Sequence, residues 1–128
     1  MFSQQNNALL PNDHCDLYID LVDDAGDGWG NSFLFIRVDG RSFPLFSLDN
    51  DSKTEKVAVN DNSFVEIFYS SDPHNSQNAY RLRNAAGEVL FQDGNHFTNN
   101  GEPIEGVNRL FVLHVQNHVL VKSLMIFR

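Results

Sequence analysis

The hydrophobic and polar positions of this chain predict a protein built almost entirely from short β-strands. Over 15–22, apolar residues alternate with polar or aromatic ones, which is the pattern of a strand with one buried face. Further apolar or alternating runs lie at 32–38, 42–46, 54–59, 64–69, 79–83, 88–92 and 109–115. About eight short strands separated by turn signals predict an all-β fold, an antiparallel β-sandwich of jelly-roll form.

Two turns are marked by their residues. Asp39-Gly40 lies between apolar runs, and this dipeptide favours a two-residue hairpin because both positions need positive φ. Pro44 follows in the second arm, which places that arm at a sheet edge or a bulge, since proline cannot donate a ladder hydrogen bond. A second hairpin is predicted over 84–87, where Gly87 suits the left-handed position.

The chain divides into a polar N-terminal arm (1–14), a sandwich domain (15–116) and an apolar C-terminal segment (117–128). The last segment is either one more strand of its own domain or an arm that adds to the sheet of a neighbouring subunit. In the second case Val119, Val121 and Phe127 would contact the partner. The N-terminus resembles no secretory signal, and no apolar run approaches the length of a membrane span, so we expect no membrane insertion.

The segment 23–31 (Asp-Asp-Ala-Gly-Asp-Gly-Trp-Gly-Asn) interrupts the strand pattern with three carboxylates, three glycines and the single tryptophan. Closely spaced oxygen ligands in a loop that glycine allows to fold sharply suit Ca²⁺. The candidate ligands are Asp23, Asp24, Asp27 and Asn31. The alternative is a tight turn in which aspartate side chains cap backbone N–H groups and Trp29 closes the end of the core.

The composition of the chain argues against several classes of function. The chain carries 17 acidic and 9 basic residues, a net charge of −8, which argues against a nucleic-acid partner because phosphate binding needs a basic surface. One cysteine excludes an intrachain disulfide, and the five histidines are scattered rather than spaced as zinc ligands. The sequence has no nucleophile elbow and no glycine-rich phosphate loop, so we expect a protein that is not an enzyme.

The strand-loop-strand segment resembles a known family. Asp23, Gly26-Asp27-Gly28-Trp29, Asp39-Gly40, the run 79–82 (Ala-Tyr-Arg-Leu) and the run 87–91 (Gly-Glu-Val-Leu-Phe) look like the D-S-Y-G-D-G-W-N-G modules. Those modules are repeated in secreted and cell-surface proteins of bacteria and some protists, and are similar to CUB domains in size and strand pattern. The resemblance covers 15–115 and implies a CUB-like, non-catalytic sandwich used in adhesion or assembly, with a cation at the acidic loop.

Two functions follow as hypotheses. The first is a structural module that assembles with other protein subunits into a cell-surface layer, a filament or a virus capsid, with possible stabilisation by Ca²⁺. The second is a Ca²⁺-dependent carbohydrate-binding module, for which aromatic rings near a cation would bind the glycan. The candidate rings are Trp29 and Tyr80, followed by Tyr18, Tyr69 and Phe97. The location would be the cell surface by resemblance, or a virion.

Overall fold

The computed structural model describes residues 14–71, 77–116 and 119–126. This part of the chain forms two antiparallel sheets that pack as a β-sandwich, which confirms the predicted fold class. The nine strands are β1 (His14–Asp23), β2 (Phe33–Val38), β3 (Arg41–Ser42), β4 (Ser52–Asn60), β5 (Ser63–Ser70), β6 (Asn78–Arg83), β7 (Val89–Gly94), β8 (Gly106–Gln116) and β9 (Val119–Ile126). One sheet has the order β4-β1-β6-β7, and the other has the order β3-β2-β5-β8-β9.

The core lies between the inner faces of the two sheets, as the alternating pattern requires. Its aliphatic residues come from both sheets and include Leu17, Ile19, Leu21, Leu34, Ile36, Val65, Ile67, Leu82 and Leu113. Three aromatic side chains extend this core in a row. Trp29 meets Tyr69 edge-on at 5.7 Å between ring centroids, and Tyr69 stacks on Tyr80 at 6.1 Å. Such pairs add stability beyond the apolar area that they bury.

Two local features differ from the sequence prediction. The second arm of the Asp39-Gly40 hairpin pairs over Arg41 and Ser42 only, and a single bridge from Phe46 to Leu34 continues the contact. Pro44 lies between these two points, and its missing N–H interrupts the ladder. A short helix, α1 (Asn95–Thr98), lies between β7 and β8, where no helix was expected. Four residues are too few to produce a helical periodicity in the sequence.

The C-terminal segment contributes a strand to its own domain. β9 pairs antiparallel with β8, and Leu120 is buried in the core. Val119 and Val121, predicted to contact a partner, are half-buried in this strand, whereas Phe127 lies outside the described residues. The expected N-terminal arm also lies outside them, apart from His14 at the start of β1. The segment is therefore an integral strand, although its outer edge can still meet another chain.

Candidate functional site

The acidic loop (23–31) joins β1 of one sheet to β2 of the other, so it closes one end of the sandwich. Trp29 fixes its position because the indole Nε1–H donates to the carbonyl oxygen of Val22 at 3.0 Å. The backbone N–H of Trp29 donates to the carbonyl oxygen of Leu48 at 2.8 Å. The ring itself is fully buried. This part of the loop has the structure of the predicted alternative, a tight turn in which Trp29 closes the end of the core.

Asp23 organises the turn from within. Its Oδ1 accepts the N–H of Ala25 at 3.2 Å, and its Oδ2 accepts the N–H of Asp27 at 3.0 Å. The side chain is almost entirely buried. Burial raises the pKa of Asp23 above its ordinary value, and the nearby Asp27 carboxylate adds to this effect, against the N–H donors that favour ionisation. Ionisation of Asp23 is therefore disfavoured at the closed end of the core.

Asn78 lies beside the Asp23 side chain. It is paired directly with Asp23 in the β1–β6 ladder, so the two side chains are neighbours on the inner face of the sheet. The Nδ2 group of Asn78 donates to the hydroxyl of Tyr69 at 3.0 Å. Its Oδ1 atom is buried and accepts no hydrogen bond within the described residues. A buried carbonyl oxygen without a donor needs an explanation, and a bound cation or water is one.

The other two predicted calcium ligands lie elsewhere. Asp24 is exposed and its Oδ1 lies 2.6 Å from Nδ1 of His96 in α1. Asn31 is exposed at the far end of the loop. Within the described ranges, no three His, Cys, Asp or Glu side chains are grouped as a metal site would require. The carboxyl groups of Asp23 and Asp27 contact each other, and Asn78, which was not among the predicted ligands, is the ladder partner of Asp23.

Trp29 and Tyr80, the two rings predicted to contact a ligand, are both completely buried. A ring within the core cannot stack on a sugar at the surface, so the structure corrects their role to packing. Tyr69 is buried in the same row. Tyr18 and Phe97 are the two candidate rings that retain exposed surface.

Sequence reasoning missed a polar network on the outer face of the four-stranded sheet. Asp20 points outward from β1, yet it is only 7% exposed. Its carboxylate accepts hydrogen bonds from Thr54 Oγ1 at 2.7 Å, Arg81 Nε at 3.0 Å, and Arg83 Nε and Nη2 at 2.7 and 3.1 Å. Burial raises the pKa of Asp20, but the donors from Arg83, Thr54 and Arg81 outweigh it and lower the pKa below 3.8.

The sequence contains the residues of this network but does not show that they are neighbours. Arg81 and Arg83 alternate on β6, and Asp20 is paired with Arg81 and Thr54 across the two neighbouring strands. The partners are 34, 61 and 63 positions apart in the chain. Without the strand order, nothing in the sequence brings them together.

Comparison of the chain with models of known families, with curated proteins and with solved structures gave no significant match. Among the described residues, no helix has the length and apolar character needed to cross a membrane.

Proposed function

We propose that this domain is a non-catalytic module that assembles with copies of itself into a larger surface structure, such as a cell-surface layer, a filament or a virus capsid. β9 is the strand through which it assembles. The observation that carries the proposal is the position of β9 at the outside of the five-stranded sheet, where it pairs with β8 along one edge. An apolar outer strand is a template for pairing with another chain.

The other outer strands are poorer templates. β4 carries Lys53, Glu55 and Lys56, and charges along an edge discourage pairing between sheets. β3 has two residues and is followed by Pro44. β7 has six residues, carries Asp93 and is followed directly by α1. β9 has eight residues and one charge, Lys122.

The first half of the β9 edge is already engaged within the domain. The Nδ2 group of Asn84 donates to the carbonyl oxygen of Leu120 at 2.6 Å. The N–H of Val115, which is paired with Leu120, donates to Asp61 instead. Both bonds indicate that the backbone of Leu120 faces away from β8, towards the outer edge. The section left for a second copy is therefore 123–126, beyond the bulge at Ser123.

The test adds a charge at that section. Ser123 has no paired residue in the β8 ladder, so Ser123→Lys leaves the pairing within the chain in place. Ala58→Lys is the matched control, because it adds the same charge to an exposed position of the outer strand β4. We expect the intact chain and Ala58→Lys to self-associate in light scattering, and Ser123→Lys to be monomeric. Equal masses for all three proteins would reject the proposal.

Truncation of the tail is a weaker test, because it would remove Leu120 from the core. The charge substitution keeps the whole chain and changes one residue. A melting curve of Ser123→Lys close to that of the intact chain will show that the sandwich is retained.

The alternative function is a Ca²⁺-dependent carbohydrate-binding module. The arrangement that favours it is the contact between the carboxyl groups of Asp23 and Asp27, together with the buried Oδ1 of Asn78, the ladder partner of Asp23. The resemblance of the acidic loop to secreted repeat modules supports the same cation and an extracellular location. A lectin of this kind would stay monomeric, bind glycans and lose them in the presence of a chelator. The two functions are separated by mass and by chelator sensitivity.

A further inference from the structure

We propose that the outer face of the four-stranded sheet holds a second, calcium-independent binding site, for the uronic acid residues of an acidic polysaccharide. The site is the Asp20 groove, a hollow of about 380 Å³. Its lining includes Asp20, Ser52, Arg81, His96 and Phe97, together with Lys53, which is paired with Glu55. This volume lies within the range of small-ligand sites. The proposal is independent of assembly through β9, which belongs to the other sheet.

The groove has a preorganised cation at its base. Asp20 binds two guanidinium groups, so the cluster retains one positive charge. The Cζ atom of Arg81 lies 4.6 Å from the ring centroid of Phe97, and that of Arg83 lies 5.0 Å from the ring centroid of Tyr18. Each guanidinium is thus held between a carboxylate and an aromatic ring. Because both arginine side chains are already ordered in the folded domain, binding a ligand costs little further side-chain entropy, which favours affinity.

Arg81 still has donors to offer. Its Nε atom is used by Asp20, whereas its terminal amino groups donate to none of the described residues. The side chain is 33% exposed. A guanidinium edge matches a carboxylate with two parallel hydrogen bonds, which makes a carboxylate the preferred partner.

The rest of the lining favours a sugar over a peptide as the carrier of that carboxylate. The Ser52 hydroxyl and the Nε2 atom of His96 offer hydrogen-bonding groups in the same lining as Arg81, while Nδ1 of His96 is engaged by Asp24. Phe97 offers an aromatic edge. A pyranose has hydroxyl groups at its rim and an apolar C–H face, so it complements both. The hollow lies on the outer face of the sheet, across β4, β1 and β6, rather than along the outer edge of β4 where an extended peptide would add a strand.

The test is a titration of the intact chain, followed by amide and side-chain NMR, in buffer that contains EGTA. The probes are an oligogalacturonate, the matching neutral oligogalactose and an oligoglutamate peptide. We expect the oligogalacturonate to shift the signals of Asp20, Ser52, Arg81 and Phe97 with a Kd of about 1 mM, and the neutral oligomer to shift none of them. Equal or tighter binding of oligoglutamate, or unshifted groove signals with oligogalacturonate, would overturn the proposal.

Two variants locate the contact. Arg81→Gln removes the guanidinium and should weaken binding about tenfold. Arg37→Gln is the matched control, because Arg37 forms a two-point pair with Glu66 on the other sheet, and its affinity should equal that of the intact chain. Phe97→Ala leaves the hydrogen bonds of Asp20 in place and should also weaken binding. It tests the same groove if Arg81→Gln fails to fold. Unchanged affinity in both groove variants would reject the site.

Discussion

The side chain of Asn84 connects the two sheets at the edge of the sandwich: its Nδ2 group donates to the carbonyl oxygen of Leu120 at 2.6 Å. The same amide donates to Glu88, while its Oδ1 accepts the N–H groups of Ala86 and Glu88. Asn84 therefore shapes the β6–β7 turn and attaches it to β9. The Asn84 side chain and Leu120 are buried, whereas Ala86 and Glu88 are exposed, so the bond to Leu120 is the one shielded from water.

We expect Asn84→Ala to lower the free energy of unfolding by about 2–3 kcal/mol, because it leaves the buried carbonyl oxygen of Leu120 without its donor and removes the acceptor of the turn N–H groups. Urea denaturation of the variant and the intact chain measures the difference. Asn100→Ala, at an exposed position near α1, is the control and should change stability little. A cost for Asn84→Ala no larger than that of the control would contradict the role of this contact.

The Asp20 network predicts a stability that depends on pH. The folded-state pKa of Asp20 lies below the ordinary value of 3.8. Its ionised form therefore contributes stability that is present above that value and is lost as the pH falls through the folded-state pKa. Asp20→Asn should cost on the order of 2 kcal/mol at neutral pH, and less as the pH falls below 3.8.

Denaturant titrations of the intact chain and of Asp20→Asn, from neutral to acid pH, measure how the stability difference between them depends on pH. Asp49→Asn, at an exposed position between β3 and β4, should leave stability unchanged and serves as the control. A cost for Asp20→Asn that stays constant or grows towards acid pH would show that the carboxylate is not held in its ionised form.

Two glycines of the acidic loop form a matched pair for a packing test. Gly26 and Gly28 both have positive φ, at 78° and 90°. A Cβ at Gly26 would meet open space, whereas one at Gly28 would lie 2.6 Å from the carbonyl oxygen of Leu48. We expect Gly26→Ala to cost about 1 kcal/mol from backbone strain alone. Gly28→Ala should cost clearly more, because it also forces this segment away from the loop that contains Leu48. Equal melting temperatures for the two variants would argue against the close approach.

The calcium hypothesis has a thermodynamic test. Ca²⁺ at about a hundredfold excess over its Kd should stabilise the domain by about 2.7 kcal/mol relative to EGTA. Asp27→Ala should remove this difference, since it removes one of the three candidate oxygen ligands. Asp24→Ala is the control, because Asp24 pairs with His96 and should leave the calcium effect intact. Identical melting curves of the intact chain in Ca²⁺ and EGTA would rule out a stabilising calcium site.

The strands could be predicted from the sequence because their pattern is local. In β1, β2 and β5 the alternation of side chains decides which face is buried, and each observed bound differs from the predicted one by at most one residue. β3 was predicted too long because the hairpin signal at Asp39-Gly40 competes with Pro44. The place of the C-terminal segment could not be decided, since pairing with β8 and pairing with a neighbour require the same apolar strand.

The sites were harder to predict, because they depend on which strands are adjacent. Composition alone is compatible with Trp29 and Tyr80 at the surface or in the core. The structure places both rings in the core, where they are fully buried. Asn78 became a candidate ligand only once its pairing with Asp23 in the ladder was known. The environment of Asp20 also depends on the neighbouring strand. The alternation of residues in β1 predicts an exposed carboxylate at this position, but the arginines of β6 cover it.

Amide hydrogen exchange of residues 123–126 at increasing protein concentration tests assembly through β9 most directly. If a second copy pairs with this edge, the outward N–H groups gain a hydrogen-bond partner, so their exchange should slow as concentration rises. The exposed outer strand β4 provides the internal reference, and its exchange should not change. Exchange at 123–126 that is independent of concentration, in a chain that remains monomeric, would contradict the proposed assembly.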